Sequence, residues 1–280
     1  MGAEAFTRFV MYHAVEDEVE ADKVSDGDYN TMAESDNRGN LTVFISNDGS
    51  GKLTFNGGEG RGSYSRNLET IAASNGNIIE LSAVVQAQSN YDYIVDTESH
   101  HSTSAFVQVM QNSESSFKSA LQDYESESTV LILKDAELEA VLAAYFTAIL
   151  ESDDIDALLD ASAEAALFAK YNVSTMAELM NNITFDDLKN EGGRTVSEIY
   201  AEMEAEDNTE LMSYVVFDGY QDFANENGNT VTAQSATSYT VTATSANNIQ
   251  LTDGSGNVIN LAGETSTTAN GAVYSASSVQ

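Results

Sequence analysis

The sequence predicts an α+β fold, in which helices and strands occupy separate blocks of one chain. A passage of short strands and turns, 12–85, recurs with the same order of parts at 214–279. Between the two passages the apolar residues change to helical spacing, and the segment 135–210 is rich in alanine and leucine. The chain is therefore modular, with a β-rich block at each end and a helical block between them.

Three pairs of anchors define the repeat. In chain order they are Tyr12 and Tyr214, the turns 49–53 and 254–258, and the pairs Asn75-Gly76 and Asn270-Gly271. The anchors are separated by 202, 205 and 195 residues. Because these offsets drift only slightly, we expect loops of different length and a conserved order of strands in the two copies.

The repeat divides the chain into two units of unequal completeness. Residues 1–90 match only the closing half of a unit, whereas 91–280 form a complete unit with an enlarged helical region at about 135–210. No apolar signal segment follows Met1, so we expect a protein that is not exported or a mature or trimmed form. The incomplete first unit favours the trimmed form.

Within the first unit we predict that residues 4–11 form the end of a helix and that the chain is extended over 12–15, with strands after it. The predicted strands are 41–46, 52–55 and 78–85. Tracts rich in Gly, Asn and Asp predict turns between them, at 26–28, 47–49 and 57–60. The pattern is typical of a small antiparallel sheet.

The second unit opens with a helical pattern from Ser99, with Ser102 or Thr103 as its N-cap. The wholly apolar run 129–133 predicts a strand that is buried on both faces. Helices follow at 135–150 and 153–170, and capping-box patterns at 175–178 and 195–198 open two more. The predicted closing strands are 214–217, 231–241, 248–253, 257–261 and 272–279.

The charge of the chain limits its partners. It has 45 acidic and 11 basic residues and a net charge of -34. Such a charge repels nucleic acid and anionic membranes, so we predict neither as a partner. No apolar run approaches the ~18 residues of a membrane span, which predicts no membrane insertion. Cysteine is absent, which excludes disulfides and thiol chemistry.

The anchors resemble motifs of a known family. Tyr12-His13 after a helix, followed by strands that close on the run 75–84, is similar to the second half of a fasciclin domain. In the second unit Tyr214 and the run 270–273 repeat this pattern, but Val215 stands where His13 would be. The segment 128–135 occupies the place of the family's Thr-Val strand, without the Ala-Pro-Thr that usually follows.

This resemblance implies both a fold and a role. The implied fold is a fasciclin-like β wedge of short, mainly antiparallel strands with a helical layer, present here as a partial and a complete copy. The implied role is adhesion or matrix association outside the cell or at its surface, with protein or glycan partners. The residues we identify as structural motif anchors are Tyr12, His13, Asn75, Gly76, Tyr214, Asn270 and Gly271.

No residue pattern predicts catalysis, a cofactor or a metal site. His100 and His101 are adjacent and have no histidine four residues away, which does not fit a helical metal site. We interpret His13 as an imidazole packed and hydrogen-bonded to the backbone, because the complete unit has valine there. The carboxylate pairs 153–154 and 186–187 are expected by chance in so acidic a chain, and no nucleophile elbow or phosphate loop occurs.

The Asp-Gly turns at 47–51 and 253–257 carry oxygen ligands, but they lack the alternating acids of a calcium-binding loop. Because both lie between predicted strands, we interpret them as hairpin turns.

Three hypotheses about function follow. The first is a non-enzymatic extracellular or cell-surface adhesion protein. The second is a fibre subunit that assembles head to tail through the incomplete first unit. The third is a ligand-binding module or hydrolase in 135–210, where aromatic residues line a pocket or fill a core; these are Tyr145, Phe146, Phe168, Tyr171 and Tyr200.

Overall fold

A computed structural model shows two separate sheets with a helical block between them along the chain. It describes residues 3–20, 23–35, 39–56, 64–85, 89–98, 104–123, 126–150, 155–156, 158–268 and 270–279. Helices and mainly antiparallel strands lie in separate blocks, which confirms the predicted α+β class. Among the described residues, no helix combines the length and the apolar character needed to span a bilayer.

The first sheet has five strands in sequential order, each antiparallel to its neighbour. Helix α1 (Ala3–Tyr12) packs against β1 and β2. The strands are β1 (Gly27–Ser35), β2 (Gly39–Asn47), β3 (Leu53–Asn56), β4 (Tyr64–Ala73) and β5 (Gly76–Leu81).

Two of these strands are absent from the sequence prediction. The tract 26–28, predicted as a turn, instead leads into β1 at Gly27. In β1 the buried positions carry Thr31 and Ala33, while Met32 is exposed. Strand β4 is also mainly polar. Because burial in these strands does not follow side-chain hydrophobicity, their sequences do not show the period-two apolar pattern of a strand.

The second sheet has seven strands in the order β7-β6-β12-β11-β10-β9-β8. Their bounds are β6 (Ser128–Ile132), β7 (Val216–Asp218), β8 (Thr230–Thr232), β9 (Ser238–Ser245), β10 (Asn248–Asp253), β11 (Val258–Thr268) and β12 (Gly271–Val279). Every residue of β6 is buried, as the apolar run predicts, and β6 is parallel to β12 and antiparallel to β7.

The predicted strand 231–241 is two strands in the structure. Ala236 has a φ of 65° in the connection between β8 and β9, where the chain reverses. Alanine rarely adopts the left-handed backbone conformation, so the sequence did not predict a turn at this position.

The helices lie between the sheets along the chain, and α2 and α5 pack against β12. Their bounds are α2 (Asn90–Glu98), α3 (Ser104–Asn112), α4 (Ser115–Gln122), α5 (Asp135–Ala144), α6 (Phe146–Ile149), α7 (Ala161–Tyr171), α8 (Met176–Met180), α9 (Phe185–Asn190), α10 (Val196–Glu202) and α11 (Ala205–Ser213). Thr195 and Glu198 form the predicted capping box of α10. At α8, however, the Glu178 carboxylate accepts from Ser174 rather than from Thr175.

Each sheet has its own core. One cluster of buried apolar residues draws on positions between Tyr12 and Val85, and the other on positions between Tyr93 and Ala276. The larger cluster contains strands and helices together, whereas the smaller one contains the first sheet and α1. The second sheet therefore shares a large core with several helices, whereas the first sheet shares a smaller core with α1.

Candidate binding site

Backbone hydrogen bonds show that the two copies share geometry around the first anchor. Val15 forms an antiparallel bridge with Thr31, and Phe217, 202 residues later, forms one with Ala233. At the same offset, the Met32 N–H donates to the Ala14 carbonyl at 2.7 Å and the Gln234 N–H donates to the Val216 carbonyl at 2.8 Å. The segment after Tyr12 thus corresponds to β7, which follows Tyr214.

The Asp-Gly turns also match in detail. The Asp48 Oδ1 accepts from the Ser50 N–H at 2.8 Å, and the Asp253 Oδ1 accepts from the Ser255 N–H at 2.9 Å. These oxygens close turns between strands. Among the described residues, no three His, Asp or Glu side chains come together as a metal site.

The copies differ after this turn. Ten more residues separate the second and third anchors in the first unit than in the second. The extra residues do not merely lengthen a loop, because β3 and β4 pair antiparallel where β11 runs as one strand. The strand breaks after the turn therefore differ between the copies, but the order of strands is kept as the sequence predicts, because neighbouring strands are consecutive from β1 to β5 and from β8 to β12.

The third anchors have different surroundings. Asn270 is fully buried; its Nδ2 donates to the carbonyls of Leu121 and Asp123, at 2.9 and 3.0 Å, and its Oδ1 accepts from the Asn90 N–H at 2.8 Å. A Cβ on Gly271 would overlap the carbonyl oxygen of Ser128. Asn75, by contrast, is exposed, and a Cβ on Gly76 would meet nothing within 4 Å.

The remaining anchors are also placed by the structure. The Tyr12 hydroxyl donates to the Thr42 carbonyl at 2.8 Å, and the buried Tyr214 ring stacks on Tyr145 with centroids 4.0 Å apart. His13 is hydrogen-bonded to the Phe9 carbonyl at 2.8 Å, as we interpreted it, but its side chain is exposed rather than packed in a core. The structural role of the anchors stays a prediction that mutations can test.

A groove lies beside β5 in the first unit. It has a volume of about 670 Å³ and runs between the segment 12–19 and the residues around the β4–β5 turn. Tyr12, Val43 and Phe55 contribute apolar surface, whereas Glu16, Asp17 and Glu18 are exposed along one wall. The groove therefore combines buried apolar side chains with an acidic wall, and its accessible lining as a whole is more polar than apolar.

The exposed apolar surface is concentrated in the same unit. Seven large hydrophobic side chains are exposed among the described residues, and all lie between positions 6 and 84; they are Phe6, Val10, Met32, Leu68, Ile71, Ile78 and Val84. Ile71 and Ile78 face each other across β4 and β5. An exposed apolar cross-strand pair is a candidate contact for a partner protein.

The helical region is well packed where it is described. Phe146 and Tyr200 are buried, and Tyr145, Phe168 and Tyr171 pack against the larger core. These five aromatic residues thus contribute to a core rather than line a pocket.

Two buried carboxylates have perturbed pKa values with structural causes. Burial opposes ionisation of Asp187, but hydrogen bonds from Lys170, Tyr171 and Thr184 outweigh it and hold its pKa at about 2. At Asp253, hydrogen bonds from Tyr145 and Asn257 likewise outweigh burial and keep the pKa below its usual range. Each carboxylate is ionised and satisfied by donors of its own fold, as expected of structural ion pairs and turns.

Some sequence expectations lie outside the described residues. These are the pair His100 and His101, the caps Ser102 and Thr103, the carboxylates at 153–154 and the turn at 57–60.

No protein-family model and no curated protein matches this sequence. Among solved structures, the chain is similar to a FAS1 domain pair from the insect cell adhesion molecule fasciclin I, with 12% sequence identity and a TM-score of 0.38. The similarity covers 98% of this chain and 79% of that chain. This neighbour is a fasciclin domain pair, and the anchors Tyr12-His13 and Asn75-Gly76 resemble the same family.

Sequence reasoning missed the groove. Its two walls, 12–19 and the residues around the β4–β5 turn, are distant in the chain, so no local sequence pattern indicates it.

Proposed function

We propose that this chain is a non-enzymatic, extracellular or cell-surface protein that mediates adhesion or matrix association. Its first unit, 1–90, presents the binding surface, and its second unit, 91–280, is the stable support. The observation that carries the proposal is the confinement of all seven exposed large hydrophobic side chains to the first unit, among the described residues. Such a surface favours protein partners, since apolar contact is the main driving force of protein association.

The charge of the chain complements this surface. A net charge of -34 keeps copies of the chain apart in solution, even though apolar residues are exposed. A partner with a basic rim would instead be attracted by the acidic chain, and it would cover the exposed apolar residues. The acidic charge thus supports binding to a different molecule over self-association.

An adhesion assay tests the proposal. The protein is coated on a surface, and attachment of cells or of soluble matrix proteins is measured. We expect the double variant Ile71→Ser with Ile78→Ser to lose most of the attachment, because it removes a cross-strand apolar pair. The matched control is Thr242→Ser with Gln250→Ser, an exposed cross-strand pair of the second sheet.

Two results would contradict the proposal. One is equal attachment by the wild type and the isoleucine double variant. The other is hydrolysis of a panel of sugars, esters or peptides at enzyme-like rates by the purified protein.

A fibre subunit is a second candidate, and the position of β5 favours it. This strand is at the edge of its sheet, and no described strand pairs with its outer side. An edge strand can pair with a neighbouring copy, and head-to-tail contacts of this kind produce filaments. Electron microscopy or light scattering that shows only monomers at high concentration would exclude this candidate.

A further inference from the structure

In the second unit, β6 fills the space between β7 and β12. Its residues Ser128 to Ile132 pair in parallel with Gly271 to Ser275 of β12, and its other edge pairs with β7 through Thr129 and Phe217. A central strand is thus inserted between the segment that follows Tyr214 and the closing strand of the unit.

The first unit has the two flanking edges, and among its described residues no strand lies between them. The segment Ala14 to Glu16 corresponds to β7, and β5 corresponds to β12 by the third anchor. Ala14 and Glu16 use their hydrogen bonds on β1, with partners Met32 and Asn30. Main-chain groups alternate in direction along a strand, so those of Val15 are directed to the opposite side, toward the groove.

Equivalent positions in the two units differ in burial, because no described strand of the first unit lies where β6 lies in the second. Val215 and Val273, which flank β6, are fully buried, whereas their counterparts His13 and Ile78 are exposed, Ile78 by 60%. Gly271 is in contact with the carbonyl of Ser128, while the space beside Gly76 is open. The groove of about 670 Å³ lies between these edges.

We infer that this groove is an acceptor site for one β-strand of a partner protein, which inserts parallel to β5 and antiparallel to the segment 14–16. The register of β6 on β12 places the incoming residues opposite Gly76 to Glu80. Main-chain pairing along two edges supplies affinity, and the apolar residues that line the groove select the side chains. The inference rests on the proposed role of the first unit in binding protein partners, which it makes specific.

The lining of the groove defines the chemistry of the strand. Tyr12, Val43 and Phe55 require apolar side chains on the strand, as Val130 and Ile132 are in β6. The wall bears Glu16, Asp17 and Glu18, where the second unit has a single acid, Asp218, followed by Gly219 and Tyr220. The partner strand is therefore apolar and flanked by lysine or arginine. A second copy of this chain, with its charge of -34, does not match that requirement.

Insertion of a strand requires that one hydrogen bond across the groove break. The Asn77 Nδ2 donates to the Val19 carbonyl at 3.2 Å. In the second unit Thr129 of β6 occupies the corresponding place and accepts from the Gln221 N–H at 2.8 Å. The inserted strand therefore replaces the hydrogen bond between Asn77 and Val19 with a hydrogen bond made by its own side chain, as Thr129 does in the second unit.

A labelled synthetic peptide tests the inference. Its sequence is that of residues 128–132 with two lysines added at each end, and its binding to the full chain is measured by fluorescence anisotropy at physiological salt. We expect saturable one-to-one binding and new protection from hydrogen exchange at 13–17 and 76–81, without change in 248–261. We expect Gly76→Ala to weaken binding at least about tenfold, because its Cβ meets the backbone of the inserted strand.

The matched control is Gly49→Ala, since Gly49 also has a positive φ and open space around its α-carbon but lies in the β2–β3 turn. We expect it to bind as the wild type does. Equal binding by wild type and Gly76→Ala would overturn the inference. Equal binding of a peptide with Val130→Asp and Ile132→Asp would also overturn it, because the apolar side chains of the strand would then have no role in the association. Absence of binding at millimolar peptide would also overturn it.

The peptide and adhesion assays fail independently. If the peptide binds but the coated protein does not support attachment, the adhesion role is wrong and the acceptor site stands. If attachment depends on Ile71 and Ile78 but the peptide does not bind, the adhesion role stands and the acceptor site is wrong.

Discussion

The α-carbon of Gly271 packs against the main-chain carbonyl oxygen of Ser128, so that no side chain fits at position 271. The contact belongs to the parallel pairing of β12 with β6, in which these two residues are opposite each other. Asn270 joins the same strands, because its carbonyl accepts from the Ser128 N–H at 2.8 Å. The Asn-Gly pair of the second unit is thus part of the sheet interior and not simply a turn.

Gly271→Ala should destabilise the second unit by about 3 kcal/mol, because the new Cβ forces β6 and β12 apart in a packed core. Gly254→Ala is the control, since a Cβ there meets nothing within 4 Å and its φ is not positive. Urea unfolding followed by circular dichroism measures both. Equal stability of the two variants would show that β6 moves without cost.

Asn270→Ala should cost about 3 kcal/mol, because the buried carbonyls of Leu121 and Asp123 and the N–H of Asn90 lose their partner together. Asn75→Ala, at the exposed anchor of the first unit, should change the free energy of unfolding by less than about 0.5 kcal/mol. Denaturant unfolding compares the two. Similar losses would mean that the two Asn-Gly pairs have the same role.

Tyr145→Phe should destabilise the second unit by about 2 kcal/mol, because the hydroxyl donates to the Asp253 Oδ2 at 2.6 Å and this bond has an ionised acceptor. Ring stacking on Tyr214 is retained in phenylalanine. Tyr91→Phe, at a half-buried position, is the control. Thermal unfolding measures the difference, and an unchanged midpoint would show that water replaces the lost donor.

Asp187 should make stability depend on acid pH. Its folded pKa of about 2 lies below the ordinary value of 3.8, so its contribution is complete above about pH 4 and is lost as the pH falls toward 2. A shift of this size corresponds to about 2 kcal/mol. The gap in unfolding free energy between wild type and Asp187→Asn should therefore shrink from pH 5 to pH 2. A gap that is constant over this range would contradict the ion pair with Lys170.

The elements predicted from the sequence are those whose local pattern agrees with their burial. The run 128–133 is apolar throughout and forms a strand buried on both faces, and the strand predicted at 248–253 is β10. Thr195 and Glu198 predicted their capping box because that signal is local. The missed strands β1 and β4 bury Thr31 and Ser65 and expose Met32 and Ile71, so their burial is decided by neighbours rather than by hydrophobicity.

The sequence by itself determined the α+β class, the repeat with its anchors, the acidic surface and the turns at Asp48 and Asp253, because each depends on residues close in the chain. Only the tertiary structure decided that Asn270-Gly271 is buried and Asn75-Gly76 is exposed. The two pairs are identical in sequence, but β6 pairs beside one and no described strand pairs beside the other. Strand pairing between distant segments leaves no local signal, so the groove beside β5 is visible only in the folded chain.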